Sequence, residues 1–131
     1  MTALATQPAD LFAAQGVHHA FQTPDGGALL VLEDVNLTIN NQEIVSLLGR
    51  SGCGKSTLLR ICAGLIHPTG GSVWFKGRPV HRPVPGIAMV FQHFALFPWL
   101  SVLENVELGL EAQGVAERLV RRRALQAIDL I

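Results

Sequence analysis

Acidic residues are missing from the middle of this sequence. Between Ile44 and Leu103 there is no Asp or Glu, while Arg50, Lys55, Arg60, Lys76, Arg78 and Arg82 all fall there. Basic residues are missing from the start: no Lys or Arg precedes Arg50, where Asp10, Asp25, Glu33, Asp34 and Glu43 stand. Ten basic residues balance ten acidic ones, so net charge points to no partner. The distribution says more, because a basic middle segment suits an anionic ligand. Arg78 and Arg82 themselves read as solvated surface charges.

Cysteine is scarce. Cys53 and Cys62 are the only two, nine residues apart along one predicted helix. At about 1.5 Å per residue they sit too far apart for a disulfide, which fits a reducing compartment. Long apolar runs are missing too. The most apolar stretch, IAMVFQHFALFPWLSVL over 87–103, is broken by Gln92, His93 and Pro98. It falls short of the ~20 residues of a membrane span and reads as a buried strand followed by a loop. The start, MTALATQPADLFAAQG, has neither a basic n-region nor a long apolar core, so it is no secretory signal. Residues 1–15 are expected to be a loose leader. The chain has 131 residues, 49% of them hydrophobic and 15% charged, enough for one domain or part of one.

What is present alternates between strand and helix patterns. GVHHAF (16–21) suits a strand and TPDGG (23–27) a turn. ALLVLEDVNLTI (28–39) alternates at Val35, Leu37 and Ile39, as a half-buried strand does. NNQE (40–43) reads as a turn. IVSLLG (44–49) and GIAMVF (86–91) are continuous apolar runs, expected of strands buried on both faces. KSTLLRICAGL (55–65) puts Leu58, Ile61, Cys62 and Leu65 at helical spacing, with HPTGG (67–71) as its stop. SVWF (72–75) is a short strand and KGRPV (76–80) a turn. SVLENVELGL (101–110) predicts a helix opened by a Ser101/Glu104 capping box, with Val102, Val106 and Leu110 on its apolar face. AERLVRRRALQAIDLI (116–131) predicts another, with Val120, Ala124, Ala127 and Ile131 on one face. Arg121, Arg122 and Arg123 read as its solvated side, since no aromatic or second basic cluster supports nucleic-acid binding.

The chemistry concentrates in GRSGCGKST, residues 49–57. Gly49, Gly54, Lys55 and Ser56 satisfy G-x-x-x-x-G-K-[ST] between an apolar strand pattern and a helix pattern. Gly52 and Gly54 can take backbone angles closed to other residues. Successive N–H groups then converge on an anion, and the helix start adds unpaired donors and the positive end of its dipole. Lys55 is expected to reach the terminal phosphates and the Ser56 hydroxyl to hold Mg²⁺. Thr57 is expected to meet the α-phosphate region through its hydroxyl or N–H. Arg50, Ser51 and Cys53 complete the cradle. Cys53 is placed to react with thiol reagents near a helix N-terminus. The plainer alternative is a Gly-rich turn before a helix.

The stretch VSLLGRSGCGKSTLLRICAGLIHPTGGSVWFKG resembles the nucleotide-binding domain of ATP-binding cassette (ABC) transporters, and MVFQHFALFPWLSVLENVELGL adds a second match. LFPWLSVLENV is similar to importers of nitrate, taurine and alkanesulfonates. The resemblance runs from about Val17 to Ile131. It implies an α/β fold: a P-loop NTPase core with an antiparallel β edge and the start of a helical subdomain. That makes 16–131 the N-terminal part of such a domain, with the Q-loop and helical subdomain beginning at 93. It implies Mg-ATP as ligand, with Gln92 serving Mg²⁺ and the attacking water beside Lys55. The partners it implies are a permease met by the Q-loop and helical region, a second copy of the ATP-binding subunit, and indirectly a periplasmic solute-binding protein. The location implied is cytoplasmic, against the inner face of the cell membrane. Phe21 is the candidate for stacking on adenine, with a plain core role as the other reading.

Several residues depart from the pattern or carry competing readings. Gln42 stands where a Gly commonly precedes the Glu of the turn, and Asn41 is the residue expected to take the left-handed conformation instead. Trp99 reads as a partner contact or a core plug. His18 and His19 read as surface residues rather than metal ligands, and His93 as lining the Q-loop. Asp129 follows two apolar residues rather than four and is explained by helical spacing, not as a metal-binding Asp. No LSGGQ-type signature, Asp-Glu strand end or switch His is present in the sequence. The expectation is therefore binding of ATP with poor hydrolysis by this chain alone, and the alternative is a nucleotide-binding fragment without ATPase activity. A GTPase would want Asn-Lys-x-Asp, and neither Lys55 nor Lys76 lies in one.

Overall fold

The computed structural model describes residues 11–92 and 96–130. The elements in chain order are β1 (Phe12–Gln22), β2 (Ala28–Ile39), α1 (Lys55–Cys62), β3 (Gly70–Phe75), β4 (Arg78–Pro79), α2 (Val102–Ala112) and α3 (Glu117–Ile128). They fall into two units, Met1–Met89 and Val90–Ile131.

The first unit is built on an antiparallel sheet in the order β2-β1-β3-β4. β2 has the bounds that its alternation predicts. β1 starts earlier than predicted, at Phe12, so the leader does not reach residue 15. Phe12 pairs with Ile39 on one side and Phe75 on the other. A strand between two others is paired along both edges, and Phe12, Ala13 and Ala14 are all buried. The early leader residues 1–10 lie outside the described residues. The Thr23–Gly27 turn closes the β1–β2 hairpin through two backbone bonds of 3.0 Å. Lys76 and Gly77, both with positive φ (50° and 72°), join Phe75 to Arg78 as a two-residue hairpin loop of the kind that matches strand twist.

α1 lays Leu58 and Ile61 on a core with Phe12, Ala14, Val17, Leu32, Val73 and Val80. It ends at Cys62, before the predicted HPTGG stop. Gly64 N–H donates to Ile61 O (3.0 Å) and Leu65 N–H to Arg60 O (2.9 Å). This pair of bonds is the Schellman arrangement, which satisfies the last carbonyls and turns the chain away. Leu65 is consequently half exposed. In the turn after β2 it is Gln42, not Asn41, that takes positive φ (64°). Asn40 uses its N–H and side-chain amide to hold the Glu43 carboxylate at 2.7 and 3.0 Å.

The largest departure is at 44–49 and 86–91. Neither segment joins a ladder among the described residues. Val45, Leu47 and Ile87 line an apolar groove of about 210 Å³ beside Leu59 and Cys62. Ile44 and Leu48 are 95% and 93% exposed. The segment 44–49 is thus covered on one face only. Burial on both faces needs ladder partners and a second layer, which no described strand supplies.

In the second unit, Ser101 caps α2. Its hydroxyl accepts from Glu104 N–H (3.3 Å), and Glu104 Oε2 accepts from Ser101 N–H and Oγ–H, both at 2.7 Å. Val102 is exposed, so it does not share in the predicted apolar face. α3 buries Val120 and Ala124, with Ile128 half-buried where Ala127 is predicted. Arg121, Arg122 and Arg123 are exposed as expected, and Asp129 is the C-cap of α3 rather than a strand end.

Ile61 is 1% exposed, and truncation to Ala leaves a cavity under the sheet. Ile61→Ala is expected to cost about 2–5 kcal/mol, read as a lowered urea midpoint. Ser101→Ala is expected to cost about 1 kcal/mol through loss of the cap, read as faster amide exchange in the first turn of α2. The Ser101 hydroxyl, then its N–H, holds the Glu104 carboxyl below its ordinary 4.5. That support is present above 4.5 and is lost as pH falls through the depressed value. Acidification should therefore fray α2 in the native chain and have a smaller further effect on the variant, which keeps only the backbone N–H donor to Glu104.

Candidate functional site

The phosphate-cradle sequence folds as a loop between the extended run 44–49 and α1. Two of its glycines are required by space. A Cβ on Gly54 would lie 2.8 Å from Leu32 Cδ2 and 2.9 Å from Val31 O, and its φ is 92°. A Cβ on Gly49 would lie 2.6 Å from Cys53 Sγ. The first contact seats the loop on β2 and the second closes the loop on itself. Nothing local in the sequence marks Val31 and Leu32 as the loop's support, because that contact is set by the tertiary fold.

Gly54 is the N-cap of α1, with no side chain capping it. The first intrahelical bond is donated by Leu58 to Gly54 O (2.8 Å). The N–H groups of Lys55, Ser56 and Thr57 precede it and have no partner within the helix. They point out of the helix start together with its positive dipole end. Lys55 folds back over the loop: Nζ donates to Gly49 O and Arg50 O, each at 2.7 Å, and lies 3.5 Å from Cys53 Sγ. Its charge is thereby fixed at the loop mouth. Arg50, Ser51, Gly52 and Cys53 are exposed around it. Ser56 is exposed and Thr57 is 9% exposed. The Ser56 hydroxyl is therefore free to meet a ligand, while Thr57 packs inward and is better placed to offer its N–H. A loop of converging donors around one fixed ammonium can bind a polyphosphate.

Phe21 lies near the end of β1, 40% exposed, with its ring against that of His19 (centroids 4.6 Å apart, planes at 82°). His19 pairs with Leu32, the residue beneath Gly54. Phe21 thus shares the sheet face that carries the loop. The surface reading of the histidines fails for His19, which is 6% exposed with both ring nitrogens unpartnered. β1 is a central strand, so its alternate residues point inward. His18 is half-buried, with Nδ1 2.8 Å from Gly16 O. Gln92 is exposed and belongs to the second unit. His93 lies outside the described residues. Trp99 is 75% exposed beside Phe97 (5.2 Å), so it is no core plug. Asn105 fixes this turn: its Oδ1 accepts from Phe97 N–H (2.8 Å), and its amide donates to the carbonyls of Phe97, Leu100 and Ser101.

The family model for the ABC transporter domain matches residues 32–130. The chain belongs to the ABC transporter family. A nitrate import ATP-binding protein, NrtC, from Synechococcus elongatus is 40% identical over 121 residues, 91% of this chain and 18% of that protein. A taurine import ATP-binding protein, TauB, from Jannaschia sp. is 47% identical over 102 residues, 78% of this chain and 38% of that one. Among solved structures, the dimeric ABC cassette MJ0796 bound to ADP and Pi superposes with a TM-score of 0.78 at 32% identity, over 90% of this chain and 56% of that chain. This ABC chain therefore spans well under half the length of the curated relatives it matches. The incomplete α/β P-loop fold with an antiparallel edge is the fold these matches share with it. No helix among the described residues is long and apolar enough to cross a membrane.

The two thiols should be distinguishable. Cys53 is exposed at the loop, whereas burial pushes the Cys62 thiol up to about 11. At pH 8 Cys62 is then thiolate in roughly one molecule per thousand. Mass spectrometry after brief maleimide treatment at neutral pH should find a single adduct on Cys53. Cys62 should react only at strongly alkaline pH or after unfolding.

Proposed function

We propose that this chain is the ATP-binding part of an ABC importer, coupling Mg-ATP binding and hydrolysis to uptake of a small solute such as nitrate, taurine or an alkanesulfonate. The observation that carries the reading is the Lys55 ammonium held on the carbonyls of Gly49 and Arg50, beside a helix start whose first N–H groups have no partner within the helix. The unpaired N–H groups of 55–57 take the phosphate oxygens, and Lys55 exchanges loop carbonyls for the terminal phosphates. Ser56 and, from the second unit, Gln92 are the residues that would hold Mg²⁺, which would supply neutralising charge to the phosphates. Phe21 offers its exposed ring to adenine. The absence of acids from 44 to 103 leaves the field of Arg50, Lys55 and Arg60 uncancelled in sequence around the loop.

The names of the relatives support the nitrate, taurine and sulfonate class of solute. The exposed Leu96, Phe97 and Trp99 suit a hydrophobic partner, and a permease is the partner this reading assigns. A second copy of the ATP-binding subunit and a periplasmic solute-binding protein complete the assembly, which places the subunit on the cytoplasmic face of the membrane. We further propose that the chain by itself grips ATP without splitting it at an appreciable rate, because catalysis of phosphoryl transfer rests on positioning water and charge as well as on holding the phosphates.

Lys55→Ala should weaken binding of a fluorescent ATP analogue by about tenfold or more, as expected for loss of a charge-assisted contact to phosphate. Equal affinity for both proteins in a fluorescence titration would overturn the cradle reading. Phosphate release by the wild-type chain alone should stay near background. Brisk turnover abolished by Lys55→Ala would refute the binding-only proposal while leaving the cradle in place.

A further inference from the structure

The ring of His19 is buried, and neither of its nitrogens has a hydrogen-bond partner. Such a group costs stability, and each instance in a native fold calls for an explanation. The described residues contain no group of metal ligands around it. Its nitrogens are themselves out of solvent, so they do not reach a ligand. What the ring does touch is Phe21, edge to face. We infer that His19 is a positioning residue for nucleotide recognition: it fixes the Phe21 ring in the orientation in which the purine stacks.

The local backbone supports this. β1 changes register against β2 on both sides of His19, between Val17 and His19 and between His19 and Ala20. Such irregularities re-aim side chains next to functional sites. The strand is anchored just before them: His18 O accepts from Thr69 N–H (2.9 Å) and Thr69 Oγ1–H (3.1 Å), and Gly16 N–H donates to Asn36 Oδ1 (2.8 Å). The backbone just before His19 is thus held from β2 on one side and from the residue preceding β3 on the other. Phe21, two residues on and near the strand end, has no such anchor beyond its pairing with Leu29. Its ring is 40% exposed. An edge-to-face pair occupies at most one face of that ring, which leaves a face for the base. Aromatic pairs prefer this geometry to a face-to-face sandwich because the ring quadrupoles are then complementary. Any flat aromatic of similar size at 19 meets this need, and an aliphatic side chain of similar volume does not.

The inference rests on the reading of Phe21 as the base platform, and the test separates the two. The chain and its Phe21→Ala, His19→Leu and His19→Phe variants are titrated with a ribose-labelled fluorescent ATP analogue. Inorganic tripolyphosphate, which has no base, is measured by competition. Leu and Phe both remove the buried unpartnered nitrogens; Phe is the larger, and unchanged tripolyphosphate affinity is the check that each variant keeps the loop intact. Phe21→Ala should lower analogue affinity by about tenfold, as loss of a stacked base does. His19→Leu should lower it by about three- to tenfold, the range of a lost aromatic pair, and His19→Phe should stay within about twofold of wild type. Tripolyphosphate affinity should be the same for all four proteins. If Phe21→Ala is weak and His19→Leu is not, the platform stands and the role of His19 is refuted. If Phe21→Ala binds like wild type, the platform reading fails first. A parallel loss of tripolyphosphate affinity in His19→Leu would make the residue structural and overturn the inference.

Discussion

The seat of Gly54 on β2 is the constraint on which the rest of the site depends. Val31 O and Leu32 Cδ2 leave no room for a side chain there, so the loop backbone rests directly on the sheet. That contact decides where α1 begins. The helix in turn decides where Leu58 and Ile61 enter the core and where three unpaired N–H groups emerge. Lys55 then closes the loop from the other side through the carbonyls of Gly49 and Arg50. The proposed phosphate site is thus an extension of the core, since the residues that position it are apolar and belong to a strand some twenty positions earlier.

The same contact explains why the loop is well formed beside a segment that is not buried. Residues 44–49 bring the chain to the loop with Val45 and Leu47 against the first unit and Ile44 and Leu48 facing out. One covered face and the Gly54 seat hold the loop in place. Burying the other face calls for a layer packed on it, as in any parallel sheet.

How much of this was legible depended on how local the cause was. The bounds of β2 follow from alternation, the start of α2 from a capping box, and the cradle from a motif whose residue types each have a mechanical reason. The strand character of Phe12–Gln15 was hidden. Ala-Ala-Gln has no amphipathic signature, and its burial comes from lying between β2 and β3. The helix stop at Gly64 competed with a more conspicuous HPTGG cluster. The choice between Asn41 and Gln42 for the left-handed position depends on how Asn40 grips Glu43. The inward turn of His19 depends on β1 being central in the sheet, and the two-sided burial expected at 44–49 depends on strands the pattern cannot see. In each case a sequence window reports propensity, while burial is a property of neighbours.

The second unit repeats the logic in polar form. Asn105 sits on α2 and directs its side chain at the preceding turn: one accepted bond, and its amide pointed at three carbonyls. The helix is itself fixed by the Ser101–Glu104 box. The turn from Phe97 to Ser101 is therefore tied at both ends to one helix start, and Leu96, Phe97 and Trp99 are displayed on it with 42–75% exposure. Large apolar side chains cost little when exposed on a floppy loop, because they can collapse onto the nearest surface. Held out by a fixed turn, they cannot, and rigid display lowers the ordering entropy that binding must otherwise overcome. Such display suits the partner-binding role proposed above, and hydrogen bonds hold the turn where α2 has no fully buried residue to anchor it.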